Sequence, residues 1–340
     1  MSILKQKQDF FKAVITHIPK QLHCQFDFGF NILSVKRINS VRGNARRHIN
    51  NFHTAKSKAY RLTDNNRWLK VLPQVLTRLG LVTATSKVAL DFSTFGHFQI
   101  LTFAVQTRRG RALPVYFEII TYPIKKDSQN IFICNAIERF VIVVGCRPKL
   151  VMDRGFACPY IIKTLASLSH PFVVRVRSIK QLRNWQNRLF KARNTSKQDQ
   201  KVDGYCRQLR LIISNNPGNS NEPWYLITND FTSTRDSIIT DYYHRFEIEE
   251  FFKDAKWLQG LEHLHFKKIQ SMSIVLWFVI LGWWFMARLK RDTPVIQGHH
   301  PHDKLSFPRL VMEALEREEQ RLLAVLLRQT GGDKLCLLCS

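Results

Sequence analysis

KVALDFSTFGHFQILTFAVQTRRGRALPVYFEII, residues 87–120, reads as three strands laid side by side. Lys87 to Ser93 is a short apolar run that ends around an acid, Asp91, and Phe98 to Gln106 is a second run. Arg108-Arg109-Gly110-Arg111 makes a tight basic turn, and Ala112 to Ile120 is a third run, so the three form a meander. Working outward, Ser128 to Val144 has helical character and is bounded by Gly145 and Pro148. Pro148 to Asp153 (PKLVMD) is a fourth strand that again finishes in an acid. Gly155 turns the chain, Cys158 to Ser169 is a helix, and Phe172 to Arg177 (FVVRVR) is a fifth strand.

The resulting order, β-β-β-α-β-α-β, is that of an α/β ribonuclease H-like fold, a mixed sheet with flanking helices. Its first and fourth strands are neighbours, so Asp91 and Asp153 are expected to meet at adjacent strand ends. Residues 1–85 form a basic helical N-terminal region, with apolar residues at helical spacing in Phe10-Phe11-Val14-Ile18 and Trp68-Leu69-Leu72-Leu76. Pro19 and Pro73 are expected to break those segments. The first part of the core covers 86–177, and a β-rich insertion covers 178–232. That insertion carries the turn signals Asp203-Gly204 and Asn216-Pro217-Gly218 and a strand at Trp224–Thr228. A long helix from about Thr234 to Leu258 and an apolar helix then complete the core over 233–290. Residues 291–340 hold an amphipathic helix (Leu310, Leu315, Leu322, Leu326) and a loose tail.

Charge narrows the partners. Lysine and arginine number 52 against 26 acids, a formal net charge of +26, which points to a polyanion and first to nucleic acid. Lys36 to Arg61 holds eight bases and no acid, and Lys180 to Arg210 nine bases and two acids. Such clusters release condensed counterions on binding phosphates. The seven cysteines are scattered and no secretory signal opens the chain, so a reducing intracellular setting with free thiols is expected. Cys336 and Cys339 form a C-x-x-C below His299, His300 and His302, without the second regularly spaced pair that zinc usually takes. Ile269 to Ala287 carries no charge, but its apolar heart is short, so a buried core helix is favoured over a membrane span.

The chemistry-bearing pattern lies on the helix at 242–256. Tyr242, Arg245, Glu249 and Lys256 share one face, and Ile248, Phe251, Ala255 and Leu258 form a separate apolar stripe. A carboxylate flanked by a phenol and two cations suits a metal-bound phosphate. This stretch, YYHRFEIEEFFKDAK, resembles the Tyr-x2-Arg-x3-Glu-x6-Lys (YREK) signature of bacterial insertion-sequence transposases of the DDE class. Val151-Met-Asp153-Arg-Gly-Phe156 resembles the second-aspartate motif of that family, and Leu90-Asp91-Phe-Ser93 the first. The similarity runs from about Val88 to Leu289.

The resemblance implies that Asp91, Asp153 and Glu249 are catalytic and hold two divalent metal ions, Mg²⁺ (or Mn²⁺), with Asp91 the bridging ligand. It implies cleavage at the element's terminal inverted repeats, then strand transfer into target DNA, by a homodimer on paired ends. Tyr242, Arg245 and Lys256 would grip phosphates, and Trp224 would stack on a flipped base. An ordinary buried strand position suits Trp224 equally. A bacterial, cytoplasmic location at the nucleoid, with no membrane partner, follows from the same resemblance. Two other readings stay open: a structure-specific nuclease on this fold, and an inactive DNA-binding transposase descendant. Glu249 could also simply pair with Lys253 or Lys256, with Glu250 as a rival carboxylate.

Overall fold

In the computed structural model, residues 2–121, 123, 128–184, 186–205, 207–215, 222–289 and 307–329 are described. Cys336, Cys339, the histidines at 299, 300 and 302, the Asn216-Pro217-Gly218 turn and the tail beyond 329 lie outside them. The chain divides into two compact units, one of residues 80–252 and one of residues 1–79 with 253–340.

The first unit is built on a mixed sheet of ten strands in the order β3-β2-β1-β4-β5-β10-β9-β8-β6-β7. β1 (Lys87–Phe95), β2 (Phe98–Val105) and β3 (Leu113–Thr121) are the expected antiparallel meander. β4 (Lys149–Met152) runs parallel to both β1 and β5 (Phe172–Val176). These five strands have the order expected of a ribonuclease H-like core, with α6 (Ser128–Val144) and α7 (Pro159–Ser167) in the connections. The β-rich insertion adds β6 (Gln181–Arg183), β7 (Leu189–Lys191), β8 (Asp199–Gly204), β9 (Arg207–Ser214) and β10 (Trp224–Thr228). It extends the same sheet, because β10 pairs antiparallel with β5 and β9 with β10.

Strand alternation then fixes the two faces. Leu90 is registered with Phe103, and Phe103 stacks on Phe140 of α6 at 4.5 Å, so one face carries α6. Ala89 is registered with Val151, whose side chain joins a buried cluster with Val173, Ile212, Trp224, Leu226, Ile238 and Tyr242. The second face therefore carries α8 (Arg235–Tyr243), and Asp91, two residues beyond Ala89, points the same way.

Two buried basic side chains of this unit, Lys149 and His170, are held by partners across the sheet. Lys149 sits 2.7 Å from Asp230 and 3.0 Å from Asp241, a buried ion triad that ties β4 to α8 and to the segment before it. His170 is buried with its Nε2 donating to the Pro148 carbonyl at 2.6 Å. Burial pushes its pKa down to about 4, against the pull of that hydrogen bond. The unfolded chain takes up this proton at higher pH than the folded one. The stabilising share is thus complete above the ordinary histidine pKa of about 6.5 and falls as pH drops toward 4. Urea unfolding at stepped pH is expected to show a loss of roughly 3 kcal/mol across that window. His170→Asn should lack this component, and identical pH profiles for the two proteins would contradict it.

Among the described residues the second unit is helical: α1 (Ile3–Ile15), α2 (His23–Leu33), α3 (Val41–His48), α4 (Phe52–Thr63), α5 (Trp68–Arg78), α10 (Ile269–Arg288) and α11 (Phe307–Gln329). Ser2, Ser40 and Asn51 cap α1, α3 and α4 through their side chains. Pro19 lies between helices as expected, but Pro73 sits inside α5. A proline there costs about 3 kcal/mol; burial of Trp68, Leu72, Val75 and Leu76 on one helix face offsets it.

α10 packs with α2, α4, α5 and α11. It is long and apolar enough to cross a membrane, yet 78% of its most apolar window is buried within the protein. Phe278 at its centre meets Phe26 and Trp68, with ring centroids 5.8 and 5.5 Å away. The apolar helix thus groups with the N-terminal helices, where the sequence assigned it to the catalytic core. The eight cations from Lys36 to Arg61 are all exposed. Cys24, Cys134, Cys146 and Cys158 are free thiols.

Candidate active site

The sequence predicts one helix from about 234 to 258; the structure breaks it. α8 ends at Tyr243, a 3₁₀ turn covers His244–Phe246, and α9 runs Glu247–Trp257. The tighter turn carries Arg245, which is 4% exposed. Beside it the Asp241 carbonyl, the i−4 acceptor for Arg245 in a continuous helix, accepts from Gln106 Nε2 at 2.8 Å, and the Ala112 N–H bonds to the Glu247 carbonyl at 3.0 Å.

Three segments converge there. Leu90 and Met152 are the last registered pair of β1 and β4, and Asp91 and Asp153 each follow by one residue. Adjacent strands lie about 4.8 Å apart, and Asp153 keeps extended backbone, so both acids face α8. β1 does not end at Asp91, as the sequence suggested, but runs on to Phe95 against β2. Tyr242 is fully buried, and its hydroxyl donates to Asp153 Oδ1 at 3.1 Å. Arg245 donates through Nη1 to Asp91 Oδ2 at 3.3 Å and through Nη2 to Glu249 Oε1 at 2.7 Å. One guanidinium therefore joins the first and third acids, and one phenol holds the second.

The electrostatics agree. Burial raises the Asp91 pKa, Arg245 and the Phe92 N–H oppose that, and the charges of Glu249 and Asp153 raise it further. Burial works against the charge of Arg245, but Tyr242, Asp91, Glu249 and Asp153 outweigh it and its pKa is raised. Its cation also lies over the Phe246 ring, 4.5 Å from the centroid. Burial pushes the Tyr242 hydroxyl up as well, so it stays a proton donor.

In kind, the three acids fit a hard cation: they are oxygen donors whose charges act on one another. As they stand, no three His, Cys, Asp or Glu side chains among the described residues are close enough to hold one ion. Arg245 serves as counter-ion to two of them.

The other expected residues fall differently. Trp224 is 3% exposed, and its ring stands edge-on to Tyr242 with centroids 4.9 Å apart. Trp224 takes the buried strand position that the sequence allowed equally, and packs with Tyr242 in the sheet core. Tyr242, expected to face a phosphate, is buried, with its hydroxyl on Asp153. Lys256 lies seven residues after Glu249 on α9 and belongs to the helical unit.

Sequence reasoning missed Glu247. Its buried carboxylate accepts from the backbone N–H groups of Thr107 (2.8 Å), Arg108 (3.2 Å) and Gly110 (3.2 Å). It also pairs with His244 Nδ1 at 3.1 Å. The one local sign was the spacing of three from His244. The partners over 130 residues away left none.

Residues 134–285 match the family model described as Transposase DDE domain. That span takes in Asp153, Trp224, Tyr242, Arg245, Glu249 and Lys256, and Asp91 precedes it. No match is found among curated proteins.

Proposed function

We propose, from the match of residues 134–285 to the Transposase DDE domain model, that this chain is an insertion-sequence transposase that cleaves the ends of its element and transfers them into target DNA. The observation that carries the proposal is the convergence of Asp91, Asp153 and Glu249 on the Tyr242–Arg245 turn. In this reading Asp91, Asp153 and Glu249 hold two divalent metal ions, Mg²⁺ or Mn²⁺. When bound, such ions activate an attacking water or 3′-hydroxyl and steady the leaving 3′-oxygen.

The chain's own residues do the rest. Tyr242 keeps Asp153 oriented by its hydrogen bond, and Trp224 keeps Tyr242 in place. Arg245, desolvated and charged, holds Asp91 and Glu249 together and stands ready to accept a phosphate. Lys256 contributes a further cation toward the DNA backbone. The exposed cations of α3 and α4, with the exposed rings of Phe52 and Tyr60 among them, serve to bind DNA in the helical unit. Paired ends call for two copies of the chain. The work is done where bacterial chromosomal DNA lies, in the cytoplasm at the nucleoid.

The test is cleavage of duplex DNA bearing the inverted repeats that flank the coding region. With the full chain and Mg²⁺, breaks at the repeat ends are expected and should vanish with EDTA. Intact DNA under both Mg²⁺ and Mn²⁺, or cutting that ignores chelation, would contradict the proposal.

A further inference from the structure

The basic turn Arg108-Arg109-Gly110-Arg111, between β2 and β3, has no part in the site described above, yet it is built with unusual care. Glu247 accepts from two of its backbone N–H groups, those of Arg108 and Gly110, and from that of Thr107 just before it. Thr107 Oγ1 donates to the Arg111 carbonyl at 2.6 Å and accepts from the Arg109 N–H at 3.2 Å, closing the turn on itself. Arg111 pairs with Glu250 at 3.3 Å. The turn is therefore fastened to the first turn of α9, the same turn that carries Glu249.

Two features suggest that the arginine side chains, rather than the turn's shape, are what this loop provides. Arg108 has φ 57°, the left-handed region, where glycine or asparagine is the unstrained choice. Keeping arginine there costs stability, and strain of that sort concentrates at working positions. Second, the cations face solvent. The Arg108 side chain is 59% exposed and reaches Asp241 at only 3.6 Å, while Asp241 already holds Lys149 at 3.0 Å. Arg109 is exposed, and its guanidinium has no partner among the described residues. Glu247 takes the amides of Thr107, Arg108 and Gly110, and Thr107 Oγ1 that of Arg109, so an anion at the tip is met by the side chains.

We propose that Arg108 and Arg109 form a rigid phosphate grip for the DNA backbone, held in register with Glu249 through the Glu247 clamp. This rests on the reading of the chain as a DNA-processing enzyme and adds a contact surface on the sheet unit, apart from the basic helices. The partner is the phosphodiester backbone, read without base preference, because two guanidinium groups on an exposed turn present no groove-shaped surface.

The experiment measures the affinity of the full chain for duplex DNA over a range of salt, together with thermal unfolding. Each lost phosphate contact lowers the log K against log salt slope by about 0.9, so Arg108→Gly with Arg109→Ala should lower it by roughly 2. Arg108→Gly alone should melt at the same temperature as the wild type or higher, since glycine relieves the strain, yet bind DNA less tightly. Arg108→Lys with Arg109→Lys should restore the slope. Ethylation interference should show discrete phosphates whose modification weakens the wild type but not the double variant. An unchanged slope in the double variant, with the wild type binding normally, would overturn the grip alone. A lower melting temperature for Arg108→Gly with unchanged binding would do the same and leave Arg108 a structural residue. A wild type that does not bind DNA would overturn the functional proposal, and this surface with it.

Discussion

Glu249→Gln is expected to slow metal-dependent DNA cleavage by roughly 10³-fold or more, with little change in stability. Its side chain is 50% exposed and its close charged partner is Arg245, so amide replacement opens no cavity and strands no buried charge. Arg245 keeps Asp91. What goes is one of three carboxylate charges, and neutral amide oxygens are poor substitutes for a hard divalent cation. Asp91→Asn and Asp153→Asn should lose as much. The neighbouring Glu250, which pairs with Arg111, supplies the internal control: Glu250→Gln should stay within a few-fold of the wild type. Single-turnover cleavage rates, alongside melting curves, separate the two carboxylates. A Glu249→Gln protein that cleaves near the wild-type rate, or equal losses for both variants, would remove Glu249 from the site.

Gly282→Ala is expected to destabilise the helical unit by roughly 3 kcal/mol or more, the upper range for overpacking a core. A Cβ at Gly282 would stand 1.6 Å from the Ser34 carbonyl oxygen and 2.3 Å from its carbon, both of them backbone. α2 and α10 would have to separate to admit one methyl group. The damage would spread through neighbouring hydrogen bonds. Gln259 Nε2 donates to the Ser34 carbonyl at 3.4 Å, Trp283 donates to Gln259 Oε1 at 2.6 Å, and the Ile38 N–H reaches the Gln259 carbonyl at 2.8 Å. Gly155→Ala makes the comparison, since nothing lies within 4 Å of its added Cβ and its φ is not positive. Chemical denaturation followed by helical circular dichroism should show a large loss for the first and almost none for the second. Equal midpoints would mean that α2 and α10 do not pack through this contact.

The strands of the core were legible because their residues are apolar in near-continuous runs, as strands buried on both faces must be. Asp91 and Asp153 stood out as acids closing such runs, and the parallel pairing of β1 with β4 brings them to one edge. Other features depended on partners far along the chain. The apolar stripe Ile248, Phe251 and Ala255 continues the periodicity of α8 closely enough to hide the 3₁₀ turn at His244–Phe246. The contacts beside that turn, from Gln106 to the Asp241 carbonyl and from Ala112 to the Glu247 carbonyl, come from far back in the chain, and no local pattern announces them. Trp224 has the same strand neighbours whether its ring faces solvent or core; only the packing of Tyr242 decides. Pro73 read as a breaker because its own cost is local, whereas the burial that offsets it is tertiary. The buried Lys149, Asp230 and Asp241 triad joins three single charges with nothing in their spacing to connect them.

The most direct test of the central claim is divalent-ion binding itself, measured by Mn²⁺ titration with electron paramagnetic resonance on the full chain bound to cleavable-end DNA. Two bound ions per chain are expected in the wild type, with occupancy falling in Asp91→Asn, Asp153→Asn and Glu249→Gln and unchanged in Glu250→Gln. Full Mn²⁺ occupancy in a protein lacking all three acids would show that residues 91, 153 and 249 do not hold the ions.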